Sequence, residues 1–359
     1  MKNNFLSIGM LAVLSIGFQS CSNNTDEGAD TNAPLYKEVL TNIAENVITE
    51  TYGDFTAKAA LMQSAANTLT IGNDASLTTL KTAWVNTRRP WEESEGFIFG
   101  PVDTNGIDPA VDSWPVNVND INTLLNSGTA ITASVLANNN EARGFHSIEY
   151  FIWGINGTKT AADFTAREIE YLKAASEDLY NKTITLHDAW KSNGGNFQRN
   201  LAIAGEQGSI YTSQKTALIE LVDGIIGIAD EVANGKIASP LTGNNGGALP
   251  EAEESRFSNN SKADFANNIR SIQNVYLGDF NGHDGKGLTD IVALKNANVD
   301  TTIKTKIADA ITAIESINGT GTFTVAIVNN RDEVFAAQAK VSDLQIYLSQ
   351  YLKPLISNL

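Results

Sequence analysis

Cysteine is almost missing from this chain of 359 residues: Cys21 is the only one, so no disulfide can form within it. Histidine is nearly as scarce, present only as His146, His187 and His283. Neither His-Glu-x-x-His nor His-x-x-Glu-His occurs, and Tyr150 stands where the second pattern would need its last histidine. Basic residues are few, 25 against 41 acidic ones, for a net charge of −16. Binding a phosphate backbone needs clustered Lys and Arg, so nucleic acid is excluded as a partner. The acidic balance favours cations near the protein and also serves solubility. No Gly-rich phosphate loop and no Gly-x-Ser-x-Gly elbow is present. Proline is absent from the whole interval between Pro115 and Pro240, which leaves room for long helices.

Helical periodicity fills that room. Ile121/Leu124/Leu125, Ile169/Leu172/Leu179 and Leu218/Leu221/Ile225 are spaced for one buried face each. Upstream, 34–69 reads as helical with a division at Gly53 and Asp54, and a second helix is predicted over 74–99, kinked or restarted at Pro90. Residues 100–118 form the least regular stretch. Further helices are expected near 198–237, 261–277, 300–317 and 332–352, while VAIVNN from Val325 is short enough to be a strand. The reading is an all-α chain of two helical-bundle domains, 34–193 and 194–359, divided at the SNGGN turn of 192–196.

Residues 1–20 belong to neither domain. Lys2 precedes an apolar run over 5–18, too short to span a bilayer and suited to a signal-peptide core. Cys21 follows at the place of the acylated first residue of a bacterial lipoprotein, although Phe18 and Gln19 depart from the tightest form of that motif. An ordinary cleaved signal is the alternative. The polar, acidic segment 21–33 reads as a tether.

The chemistry gathers around Gly144-Phe145-His146-Ser147-Ile148-Glu149. A helix is predicted here, capped by Asn139 or Asn140 and ended by Gly154. At about 100° per residue, His146, Glu149 and Trp153 fall on one flank of an apolar stripe. A His and a Glu three apart can be an exposed pair worth about 0.2–0.5 kcal/mol, or can hold a metal or a proton. Glu92 and Glu95 repeat the i, i+3 spacing, with Arg88 one turn before Glu92. Asp112 precedes Trp114-Pro115 and is a candidate ligand or a turn former. Residues 279–290 superficially suggest a calcium loop but lack its alternating ligands and closing Glu, so they read as an ordinary loop. His187 is given no role.

At these residues the chain resembles the imelysin family, whose Gly-x-His-x-x-Glu signature is met as Gly144, His146 and Glu149. The run RRPWEESEGFIFGPVDTNGIDPAVDSWP (88–115) and, more softly, EESRFSNNSKADFANNIRSIQNVYLG (253–278) are similar to it as well. The resemblance implies paired helical bundles and a metal site of His146, Glu149, Glu95, Glu92 and Asp112, with Arg88, Trp114 and Trp153 behind the ligands or walling the pocket. One imidazole with several carboxylates suits iron, zinc or copper better than magnesium. A metal-handling lipoprotein of the bacterial cell envelope follows, lipid-anchored through Cys21 at the outer membrane. It would bind a metal ion or chelate, iron first, alongside other uptake components. Two rival readings stay open: a metallopeptidase, from which the family takes its name, and a polymer- or protein-binding module using Trp91, Trp114 and Trp153.

Overall fold

The computed structural model describes residues 31–243 and 245–359; the signal segment, Cys21 and residues 22–30 of the tether lie outside the described residues. Pro34, in the first turn of α1 (Ala33–Asn42), starts a helix where its missing N–H costs nothing. A π-helical turn, Ile43–Thr49, carries the chain directly into α2 (Glu50–Thr68). The predicted division at Gly53 and Asp54 does not occur. Gly53 lies within α2 and faces α5 (Ala166–Trp190), where a Cβ would stand in ordinary van der Waals contact with the His187 ring, 3.4 Å away. An isolated glycine is tolerated inside a helix, so it does not by itself mark a break.

Next comes α3 (Asp74–Glu92), capped by the Asn73 side chain, which accepts from the Ser76 N–H. It stops short of the expected Phe99. Pro90 removes a backbone donor in the last turn, and the chain turns away into a short 3-10 helix, Glu95–Phe97. Residues 100–118 are less irregular than expected, holding the short helices Pro101–Thr104 and Asp108–Val111 before a cis Trp114–Pro115 bond. The motif helix α4 is Gly144–Trp153.

Beyond the 192–196 turn, α6 (Gln214–Asp230) runs on through a second π-helical turn, Glu231–Ile237, into Ala238–Thr242. Helix α7 (Ser261–Leu277) ends at the left-handed Gly278, φ 82°. The 279–290 loop holds a small antiparallel hairpin, β1 (Asp279–Phe280) with β2 (His283–Asp284), turned by Asn281 and Gly282, both at positive φ. Among the described residues strand is confined to this hairpin. The Asn42 side chain donates to the carbonyls of Gly278 and Lys286 and so pins it to α1. Two long helices, α8 (Ala297–Ser316) and α9 (Arg331–Tyr347), follow, the second running on through a π-helical turn, Leu348–Leu352, into Lys353–Ser357. VAIVNN lies in a helix, Phe323–Asn329, with Phe323, Ala326 and Ile327 buried; i, i+3, i+4 spacing overrides the β-branched composition.

The fold is all-α, many helices packed on one apolar core. Tyr52, Phe55, Trp84, Trp91, Phe97, Phe145 and Trp190 are fully buried, their rings meeting at centroid distances of 5.6–5.9 Å where Phe55 contacts Trp91 and Phe145, and Tyr52 contacts Phe97 and Trp190. Helix α3 packs on α7, and the Glu95–Phe97 turn packs on α6 and α7. At that seam backbone meets backbone. A Cβ on Gly224 of α6 would stand 2.4 Å from the Gly96 carbonyl oxygen, and one on Gly96 would stand 2.7 Å from Ser271 Oγ of α7. No described helix is long and apolar enough to cross a membrane.

Candidate metal centre

The motif helix is located by its own first residues. Gly144 has φ 83°, and a Cβ on it would meet the Val111 carbonyl oxygen at 2.5 Å, so only glycine lets α4 begin against the residue preceding Asp112. Arg143, not Asn139 or Asn140, holds the N-cap position; the Asn139 side chain accepts from the Glu141 N–H in the preceding turn. Arg143 is itself buried and grips Asp178 of α5 through two bonds of 2.7 and 2.8 Å. On the other side Trp84 Nε1 donates to the Phe145 carbonyl. Gly154, at φ 72°, ends the helix as expected. His146 and Glu149 are consequently fully buried rather than an exposed pair.

Arg88 of α3 is the hub of the cluster. Its guanidinium pairs with Glu92 at 2.5 Å, with Asp112 Oδ1 through Nη1, with Glu254 Oε1 through Nη2, and with Asp264 at 3.5 Å. The His146 ring lies between two carboxylates and a third. Nδ1 is 3.0 Å from Glu149 Oε2, while Nε2 is 3.0 Å from Asp112 Oδ1 and 3.6 Å from Glu254 Oε1. Glu149 is fixed in turn by the backbone N–H and hydroxyl of Ser258, each 2.7 Å from Oε1. Trp91 Nε1 donates to Asp112 Oδ2 at 2.6 Å. Lys236, from the π-helical turn after α6, stands 2.9 Å from Glu95 and 3.1 Å from Glu254. Asn268 of α7 donates to both Glu92 and Glu95. A cavity of about 330 Å³, lined by Glu95, Asp112, Trp114, Lys236 and Glu254, leads from the cluster past Asp108 and the exposed Glu231.

Five carboxylates (Glu92, Glu95, Asp112, Glu254, Asp264) thus face two fixed cations, Arg88 and Lys236. Burial opposes ionisation throughout, and the neighbours decide which groups stay charged. At Glu254 burial is outweighed by Lys236 and Arg88, which hold the carboxyl down at about 2. At Asp112 burial is outweighed by Arg88 and then His146, and the carboxyl lies well below its usual range. At Glu92 burial wins over Arg88 and Lys236, and the carboxyl is pushed up to about 8. Burial likewise lifts Asp264 to about 6, and with Glu92 beside it raises Glu95 well above the usual range. His146 is raised well above its usual value: burial and Arg88 oppose its charge, but hydrogen bonds to Asp112, Glu149 and Glu254 prevail.

The residues fit a cation. With Glu149 accepting from Nδ1–H, the Nε2 lone pair of His146 points at two carboxylate oxygens, an arrangement that only a proton or a metal ion between them can stabilise. Ligand atoms about 2.1 Å from one ion stand roughly 3.0–3.4 Å apart, and the observed 3.0 and 3.6 Å are close to that. Two overlapping groups have ligand spacing: Asp112, His146 and Glu254, and Glu92, Glu95 and Asp112.

The structure brings together Arg88, Glu92, Glu95, Asp112, His146 and Glu149, with Trp114 edge-on to the His146 ring at 5.0 Å. Glu149 lies outside both ligand groups and holds the imidazole. Trp153 is turned to Trp84, 5.2 Å away, under Lys81. The sequence reading singled out none of Lys236, Glu254, Ser258, Asp264 and Asn268. The 253–278 stretch contains four of these, so its likeness was a signal; Lys236 carries none, because a lysine in a polar segment reads as solvent-facing.

Residues 48–350 match the family model described as imelysin. Over 281 residues the chain is 27% identical to iron-regulated protein A of Synechococcus elongatus, covering 77% of this chain and 72% of that one. Among solved structures, one from Parabacteroides distasonis ATCC 8503, assigned as an iron-regulated protein A precursor, superposes with a TM-score of 0.77 at 25% identity, covering 92% of this chain and 96% of the other. An imelysin-like protein of Psychrobacter arcticum 273-4 shares the fold, with a TM-score of 0.71 at 18% identity over 92% and 98% of the two chains. With most of its length matched by that family model and its motif helix built into a buried His and carboxylate cluster, the chain belongs to the imelysin family.

Proposed function

We propose that this protein binds a transition-metal cation, iron first, between His146, Asp112 and Glu254, and takes part in iron handling at the bacterial cell envelope. The single observation that carries the reading is the His146 Nε2 atom aimed between Asp112 Oδ1 and Glu254 Oε1. The names of the Synechococcus and Parabacteroides relatives support iron as the cargo. In this reading Glu149 keeps the imidazole in the tautomer that leaves Nε2 free, and Arg88 holds the inner oxygens of Asp112 and Glu254 toward the ion. Glu95 and Glu92 lie beside the ion with raised carboxyls, held by Asn268. The cavity past Asp108 and Glu231 is the route of approach. Attachment to the outer membrane through Cys21 completes the proposal.

The test is a thermal melt with iron(II), iron(III), zinc, copper and calcium, on the wild type and on His146→Ala, Asp112→Asn and Glu254→Gln. A coordinated ion at a hundredfold excess over its Kd stabilises the fold by about 2.7 kcal/mol. That gain is expected to vanish in all three variants. Equal shifts in wild type and variants would mean general screening of an acidic surface and would remove the reading. Metal-dependent peptide cleavage lost in the same variants would favour a peptidase instead.

A further inference from the structure

The two ligand groups overlap at Asp112, and the oxygens of the first, Asp112 Oδ1 and Glu254 Oε1, accept from Arg88. The second, Glu92 with Glu95 and Asp112, already has a cation beside it. Lys236 Nζ is 2.9 Å from Glu95 Oε2, 3.7 Å from Glu92 Oε2 and 3.1 Å from Glu254 Oε2. Glu254 therefore turns Oε1 toward Arg88, His146 and, at 3.4 Å, Lys236, while its Oε2 stands 3.1 Å from Lys236. A carboxylate that spans two positive centres in this way is the pattern of two-metal sites, whose ions stand about 3.5–4 Å apart.

Lys236 reaches the cage from a π-helical turn, a local widening of the helix often found at functional sites. Its side chain is only 8% exposed. Its ammonium donates to Glu95 and Glu254 and lies within ion-pair distance of Glu92, as a compact cation would. Asn268 closes the cage from α7 through its Nδ2, and its Oδ1 is buried without a hydrogen-bond partner. Rotating that amide by about 180° would exchange a donor for an oxygen ligand.

We propose that Lys236 is a tethered cation seated in the second position of a two-cation carboxylate cage, and that it limits this centre to a single metal ion. The inference rests on the metal-centre reading above and adds to it the residue that determines stoichiometry. Without the ammonium, the second position is an oxygen-lined cage suited to a divalent cation such as Mn2+.

The experiment measures bound Mn2+ per chain, by elemental analysis after equilibrium dialysis, in the wild type, Lys236→Met, Lys236→Arg and Lys236→Met/Glu95→Gln. Methionine keeps the length of the stem and removes the charge. The expected result is one ion in the wild type and in Lys236→Arg, two in Lys236→Met, and one again in the double variant. The return to one separates the cage from ions held loosely on the surface. If Lys236→Met is too unstable to dialyse, its Mn2+-dependent rise in Tm is read instead. That rise is expected to exceed the wild type's and to shrink in the double variant. One ion in both wild type and Lys236→Met, with equal Tm shifts, overturns the inference and leaves the metal centre standing. Two ions in the wild type overturn it too. No Mn2+ in any of the proteins overturns the inference, and the melts with iron then decide whether the metal centre stands.

Discussion

At the scale of single residues, Glu149 and His146 divide their work by atom. Glu149 accepts from Nδ1 and is held by Ser258, and on the proposed reading it leaves Nε2 to the ion. In Glu149→Gln the amide can donate to Nδ1 and move the ring proton to Nε2, which is then no ligand. The expected outcome is a 10–100-fold loss of iron affinity with little loss of fold, read by titration calorimetry. The cluster also sets a pH dependence for the metal-free protein. Glu254, held down at about 2, contributes stability that is present above its unfolded value near 4.5 and lost as pH falls toward 2. Glu92, raised to about 8, does the reverse: its contribution is full below about 4.5 and is lost as pH rises to 8. Asp264 at about 6 and the raised His146 have the same sign as Glu92. Metal-free Tm is therefore expected to fall between about pH 5 and pH 8, and bound metal, replacing protons with a permanent charge, is expected to flatten that fall. A metal-free Tm that rises across this interval would contradict the assignment of charges.

At the scale of elements, long helices were legible because apolar spacing persists over many turns, as in α5 with Tyr171, Leu172, Ala175, Leu179 and Leu186 buried. Glycines were harder. Gly53 read as a break and is a contact with His187, whereas Gly144 read only as part of a motif and turns out to fix where α4 starts. Gly144→Ala combines a left-handed φ with a methyl 2.5 Å from the Val111 carbonyl, so a destabilisation of roughly 2–4 kcal/mol is expected in urea unfolding. The first-half residues of the site could be gathered from spacing, since Arg88 and Glu92 are one turn apart and Asp112 and His146 belong to marked motifs. Lys236, Glu254, Asp264 and Asn268 could not, because their place depends on how α6 and α7 lie against α3. The π-helical turn that aims Lys236 leaves no pattern in residue type.

At the scale of the whole molecule, the cluster occupies the seam where helices from the two halves of the chain meet: Arg88, Glu92, Glu95, Asp112 and His146 on one side, Lys236, Glu254, Asp264 and Asn268 on the other. Buried carboxylates outnumber the fixed cations Arg88 and Lys236 there. Next to Glu95, the clearance between the halves is no more than an atom, because Gly96 lies against Gly224 on α6 and against Ser271 on α7. Gly224→Ala would put a methyl 2.4 Å from the Gly96 oxygen, and overpacking of this kind costs about 1–3 kcal/mol. The expected readout is a lowered Tm together with weaker metal binding, although no ligand has been touched. Unchanged affinity would show that the cluster is insulated from the seam. The glycine pair thus acts as a mechanical stop: it sets the gauge between two stiff bodies, and a wedge one carbon thick, far too small to block the cavity, would throw every distance across the centre out of tolerance at once.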